Sequence, residues 1–198
     1  MEGEKQIKTA LVSVYDKGGL DGIISLLAGE GVKLLSTGGT HKFIESLGYE
    51  CQTVESITAY PSILGGRVKT LHPKVFGGIL ARRDNDGDKS QMAQYGIEPI
   101  DLVIVDLYPF EQTVASGASA ADIIEKIDIG GISLIRAAAK NYNDVVIVPS
   151  KDEYTTLADI LKRQGAVTDI AQRRQLATKA FAVSSHYDTA IHRWFEGK

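Results

Sequence analysis

Apolar residues fall into two alternating patterns along this chain. Residues 8 to 14 ("KTALVSV") form a β-rich run, and in the following "GGLDGIISLLAGEG" Leu20, Ile23, Ile24 and Leu27 recur at helical spacing. "VKLLST" repeats the strand pattern and "THKFIESLG" the helical one, stopping at Gly48. Further strands are predicted at 102 to 107 ("LVIVDL") and 144 to 148 ("DVVIV"). These runs are apolar at nearly every position, which suits strands covered on both faces, as in a parallel sheet. Strand alternating with helix predicts βαβ topology and an α/β fold. After residue 150 the strand signals fade: "DEYTTLADILKRQG" and roughly 168 to 196 carry helical periodicity and no proline. The expectation is one domain, with an α/β core over about 8–150 and a helical appendage over about 151–198. The appendage either packs on the sheet or serves an oligomer contact.

Composition narrows the class without changing that picture. With 198 residues, 43% hydrophobic and 24% charged, the chain is neither collagenous, disordered nor a disulfide scaffold. A formal net charge of -3 and a pI near 5.8 give no general attraction for nucleic acid or an anionic membrane, so an anion site has to be a local cluster. Cys51 is the one cysteine, and there is no signal segment or long apolar run. Together these predict a cytosolic protein.

Several local clusters then carry candidate chemistry. "LLSTGGTHKF" places a glycine- and hydroxyl-rich turn between a predicted strand and helix, where backbone amides and a helix N-terminus could receive phosphate. The same turn could be no more than a tight connection with Thr40 as N-cap. In "SVYDKGGL", Ser13 and Lys17 follow the first strand, at the edge where open α/β sheets bind ligands, although an isolated lysine is more often a solvated loop residue. "LGGRVKTLHPKVFGGILARR" packs Arg67, Lys69, His72 and Lys74 into eight residues of an acidic protein. A guanidinium and an ammonium flanking one valine suit a polyanionic or carboxamide-bearing ligand. His72, before Pro73, can hydrogen-bond its own turn, and no second ligand at metal spacing accompanies it. In "VDLYPFEQTV", Pro109 ends the strand and puts Tyr108 at its carboxyl edge, as an oxyanion donor or as a core ring with a wet tip. Finally, "IDIGGISLIRAAAKN" opens with Asp128 and closes with Lys140. Helix-dipole complementarity would leave both in solvent. A shared site would require a break at Gly130 and Gly131, because a straight helix would hold them about 18 Å apart.

In this order, "SVYDK", "STGGT", "GGRVKTLHP", "DLYPF" and "IDIGGISLIRAAAKN" resemble the inosine monophosphate cyclohydrolase domain of the bifunctional purine-biosynthesis family, over about residues 8 to 195. The resemblance implies a methylglyoxal-synthase-like fold, three layers with a mainly parallel sheet and helices on both faces. It implies dehydrative ring closure of 5-formamidoimidazole-4-carboxamide ribonucleotide to inosine monophosphate, with no cofactor and no metal. By the same resemblance Lys69 and Tyr108 polarise the formyl oxygen, while Asp128 and Lys140 form an acid/base pair. Ser13, Lys17, Thr37, Gly38, Gly39 and Thr40 hold the 5′-phosphate. Arg67 and Thr70 hold the base or phosphate side, Val105, Asp106, Ile129, Gly130 and Gly131 line the purine slot, and Tyr15, Asp16 and Val68 complete the substrate-binding set. The implied partners are a purine ribonucleotide, a second copy in a homodimer and a transformylase domain in cis or in trans. Two residues depart from the pattern: Thr37 stands where a serine is expected, and Asp106 where "NLYPF" would place an asparagine. A methylglyoxal-synthase-like lyase and a noncatalytic nucleotide sensor share the fold and the anion turns. Neither has a use for both lysines beside Asp128.

Overall fold

A computed structural model of the chain describes residues 3–197. A short strand β1 (Lys5–Gln6) leads into β2 (Thr9–Val14), whose Ala10, Leu11 and Val12 are fully buried. Helix α1 (Leu20–Gly29) follows, burying the four periodic apolar residues Leu20, Ile23, Ile24 and Leu27. Next come β3 (Lys33–Ser36), α2 (Gly38–Ser46), β4 (Gln52–Thr53) and α3 (Val54–Thr58). The Thr53 hydroxyl caps α3 by accepting from the Ser56 N–H at 3.1 Å. A 3-10 turn at Leu64–Gly66 precedes α4 (Pro73–Leu80), with proline in its first turn and the His72 ring accepting from the Lys74 N–H at 3.1 Å. His72 is therefore a helix cap.

Beyond it lie α5 (Asp86–Tyr95), β5 (Leu102–Asp106), α6 (Phe110–Ala115), α7 (Ala120–Ile124) and α8 (Gly130–Lys140). The chain closes with β6 (Val146–Val148), α9 (Tyr154–Gln164), β7 (Val167–Thr168) and α10 (Ile170–Phe195). Asp169 and Gln172 form a capping box that starts this last, 26-residue helix.

The main sheet is wholly parallel, in the order β4-β3-β2-β5-β6, and β1 pairs with β7 in a separate antiparallel ribbon. Strand order runs outward in both directions from the β2–β5 pair, where Val14 stands opposite Asp106. That pair is the switch point of the sheet, and open α/β folds bind ligands outside the carboxyl ends of the strands there. Helices cover both faces of the sheet, α1 packing with α9 and α8 with α10.

The stretch expected as a helical appendage contributes Leu157, Leu161, Leu176, Ala177 and Ala180 to the same buried core as the sheet. Arg173 of α10, 1% exposed, binds this end of the chain to distant backbone. Its guanidinium donates to the carbonyls of Tyr142 (2.9 Å), Thr168 (2.7 Å), Gly3 (2.7 Å) and Asn143 (3.0 Å). Arg173→Leu leaves the buried Thr168 carbonyl and three part-buried carbonyls without this donor, and is expected to lower the unfolding free energy by about 1–3 kcal/mol. The measurement is urea denaturation; an unmoved midpoint would show the guanidinium to be dispensable. No helix among the described residues is long and apolar enough to cross a membrane.

Candidate active site

A cleft of about 640 Å³ opens at the carboxyl edge of β2, β3 and β5, the switch point of the sheet. One corner, suited to an anion, comes from two adjacent turns. Thr37 occupies the N-cap position of α2 in an extended conformation, and its hydroxyl makes no capping bond. The first N–H groups of α2 have no partner within the helix, and Gly38 takes a left-handed backbone conformation (φ +50°) at its start. Thr40, a candidate N-cap in the sequence, is instead buried inside the helix. Its hydroxyl donates to the Val14 carbonyl at 2.9 Å and accepts from the Val14 N–H at 3.3 Å, fastening α2 to the end of β2.

Lys17 folds back over the same edge, its ammonium donating to the carbonyls of Val14 (3.0 Å) and Tyr15 (2.7 Å). A Cβ on Gly39 would lie 3.8 Å from that ammonium, so the cation sits beside the helix N-terminus with its third proton available. Helix dipole, free amides and a fixed ammonium together suit a phosphate dianion. Lys17→Ala is expected to raise the nucleotide dissociation constant by about 10–100-fold, the loss of one charge-assisted hydrogen bond, with kcat little changed. Calorimetric titration with a purine ribonucleotide monophosphate measures it.

The opposite wall holds a lysine, a carboxylate and a phenol. Lys69 follows a turn in which Leu64, Gly65 and Gly66 all have positive φ, and its ammonium lies against Gly66, 3.8 Å from where a Cβ would be. Asp128 precedes α8 and accepts from the Gly131 N–H at 2.6 Å. Its own N–H donates to the Tyr187 hydroxyl at 2.8 Å, and that hydroxyl donates to the Lys126 carbonyl at 2.8 Å, so α10 fixes the turn. Burial pushes the Asp128 carboxyl above its ordinary value, and the charge of Asp106 adds to this. The N–H groups of Gly131 and Tyr108 and the charge of Lys69 pull the other way. Tyr108, 37% exposed, has its phenol raised by burial and by the nearby Asp128 and Tyr15.

The paired glycines have a steric purpose. A Cβ at Gly131 would lie 2.6 Å from the Asp128 carboxylate and one at Gly130 3.0 Å from the Thr70 hydroxyl. They let the first turn of α8 close onto both side chains, and the helix starts there. No break separates Asp128 from Lys140 in the way a shared site required. Lys140 is the last, exposed residue of an eleven-residue helix that carries it about 15 Å toward the other edge of the sheet, outside the cleft. The expected Asp128–Lys140 pairing does not form within one chain.

A family model described as the MGS-like domain matches residues 19–133. The chain belongs to the MGS-like domain family. A second model, the AICARFT/IMPCHase bienzyme, matches residues 138–198 of this MGS-like chain. The bifunctional purine biosynthesis protein PurH of Bacteroides thetaiotaomicron is 68% identical over 99% of the chain and 39% of its own length. PurH of Rhodospirillum rubrum is 49% identical over 97% of the chain and 36% of its own length. The chain thus spans well under half the length of these curated relatives. The crystal structure of ForH superposes with a TM-score of 0.84 at 34% identity, covering 95% of this chain and 96% of that one. The cyclohydrolase-type resemblance carried by the motifs is borne out by these matches.

Within the MGS-like cleft, Ser13, Lys17, Thr37, Gly38, Gly39 and Thr40 assemble around the N-terminus of α2, and Tyr15, Arg67, Lys69, Thr70, Asp106, Tyr108, Asp128, Ile129, Gly130 and Gly131 at the remaining walls, with the Tyr15 ring against that of Tyr108. Three further candidates lie behind the wall. Asp16 accepts from the Gly18 N–H at 2.8 Å and pairs with Lys151 at 2.5 Å, and that Lys151 bond is the chief reason its carboxyl is held below the ordinary range. Val68 pairs with Ile63 in a small backbone bridge, and Val105 is buried in the middle of the sheet. Asp106 accepts from the Asp16 N–H at 2.9 Å through one carboxylate oxygen. An asparagine carbonyl could do the same, so the departure from the family motif preserves this strut. Arg67 reaches across the mouth of the cleft to pair with Glu125. Lys74 points elsewhere, donating to the Ile57 carbonyl at 3.1 Å. The wall formed by Ile124, Glu125, Lys126 and Ile127 went unrecognised in the sequence, where it reads as an ordinary solvated helix end.

Proposed function

We propose that this chain is an inosine monophosphate cyclohydrolase, a cyclic-amidine-forming hydrolase, closing the ring of 5-formamidoimidazole-4-carboxamide ribonucleotide with loss of water. The observation that carries the reading is that one cleft joins an anion cradle, at Lys17 and the N-terminus of α2, to a wall bearing Lys69, Tyr108 and Asp128. With the 5′-phosphate in the cradle, the base extends toward that wall. The carboxamide nitrogen attacks the formyl carbon, forming a C–N bond and a tetrahedral oxyanion that Lys69 and Tyr108 stabilise. Asp128 takes a proton from the attacking nitrogen and returns it to the departing oxygen. The C–O bond breaks as the formamido nitrogen gives up its own proton, so one water leaves per ring closed. Proximity contributes as well, since the nucleophile and the formyl group are held in one molecule in a ring-closing geometry.

As part of the same reading the chain works in the cytosol as a homodimer, with a formyltransferase domain supplying the formylated substrate, as the bienzyme family description suggests. Lys140 has no assigned step, because it lies outside the cleft of its own chain. Incubation with the formylated ribonucleotide while purine absorbance is followed tests the reaction. Nucleotide binding without turnover would support a sensor instead, and phosphate release from dihydroxyacetone phosphate a lyase.

A further inference from the structure

Lys126 lies on the turn between α7 and α8 and lines the cleft, half-buried for a residue in a surface turn. Its backbone is fixed from two sides: the N–H donates to the Ile123 carbonyl at 3.0 Å, and the carbonyl accepts from the Tyr187 hydroxyl at 2.8 Å. That anchoring directs the side chain across the cleft wall. The ammonium stands 5.5 Å from the centre of the Tyr15 ring and 5.8 Å from that of Tyr108, two rings packed edge to face with centroids 5.5 Å apart. Its neighbour Glu125 is taken by Arg67, and no carboxylate partner is present for Lys126 among the described residues. A cation shared by two aromatic rings holds them at a fixed mutual angle, because moving either ring away forfeits its attraction.

We propose that Lys126 is a positioning residue of the ring-closing reaction, clamping the Tyr15–Tyr108 pair so that the Tyr108 hydroxyl is aimed at the developing oxyanion. The inference rests on the proposed reaction for its consequence and on the three-residue cluster for its geometry. The charged and titratable groups facing Tyr108 are Asp128 from the turn before α8, Tyr15 from the loop after β2 and Lys126 itself. Lys126 is the cation among them that touches the ring face. Lys126 acts through Tyr108, so its loss should be felt in turnover and not in the phosphate corner, where Lys17 and α2 bind.

Four variants decide it: Lys126→Met, Lys126→Arg, Tyr108→Phe and the double variant Lys126→Met/Tyr108→Phe. Lys126→Met is expected to lower kcat roughly tenfold with KM unchanged, the size of a desolvated cation–π contact, and Lys126→Arg to restore most of it. In the Tyr108→Phe background Lys126→Met should cost nothing further, because the hydroxyl it positions is gone. Unchanged kcat in Lys126→Met, a raised KM at unchanged kcat, or fully additive losses in the double variant would each overturn the proposal. Near-ultraviolet circular dichroism gives a readout independent of turnover. The tyrosine signal lost in Tyr108→Phe should also be lost in Lys126→Met and kept in Lys126→Arg. If the wild-type chain fails to turn over the formylated ribonucleotide, the reaction assignment falls. The clamp is then judged on this signal alone, and a Lys126→Met spectrum superimposable on the wild type would refute it.

Discussion

Asp128→Asn is expected to lower kcat by about 10²–10⁴-fold while leaving nucleotide affinity close to that of the wild type. The amide keeps the carbonyl oxygen that accepts from the Gly131 N–H at 2.6 Å, and the backbone bond to Tyr187 is untouched, so the turn stays folded. What disappears is the proposed base. In the proposed reaction the same carboxyl sets the pH dependence. It must be ionised to take a proton from the carboxamide nitrogen, and burial raises its pKa. Activity is therefore lost as pH falls through that raised value, and the acid limb of kcat/KM lies above the ordinary aspartate value of about 4. Asp128→Asn should erase this limb. A variant with near wild-type kcat, or one that keeps the limb, would remove Asp128 from the role of base.

Lys69→Met is the second large effect, about 10²–10⁴-fold in kcat, or roughly 3–5 kcal/mol of transition-state stabilisation. The substitution keeps the length of the side chain and deletes the charge facing the cleft. It has a second signature, because the Lys69 charge is one of the influences pulling the Asp128 carboxyl down. Removing it lets burial act with less opposition, so the acid limb moves to higher pH in the residual activity. Lys69→Arg is not expected to rescue. The ammonium lies beside Gly66 on the cleft wall, and a guanidinium offers a planar fork of donors in place of that compact point charge. Stopped-flow or steady-state rates across pH for both variants check the two claims together. A Lys69→Met acid limb that coincides with that of the wild type would show the two groups to be uncoupled.

Local chemistry made much of this site readable from sequence. Leu20, Ile23, Ile24 and Leu27 announce α1 because helical periodicity is a property of neighbours on one chain. The "STGGT" turn is legible for the same reason: a strand end, small residues and a helix start follow one another directly. Paired glycines carry no such single meaning. Gly130 and Gly131 suited a break within a helix as well as a helix start approached closely by other side chains. The distances to Asp128 and Thr70 that decide between these exist only after folding. Lys140 was misplaced by that ambiguity. Glu125 and Lys126 were overlooked because charged residues at a helix end look solvated until the sheet curls the cleft around them.

The bond from the Asp128 N–H to the Tyr187 hydroxyl joins residues 59 apart in the chain. During synthesis every side chain that lines the cleft has been made once Gly131 is complete, yet the residue that fastens the Asp128 turn is still to come. Domains fold as units, and α10 also supplies Leu176, Ala177 and Ala180 to the core of the sheet. A chain that stops before α10 therefore lacks both the anchor of Asp128 and part of the core on which the cleft is built.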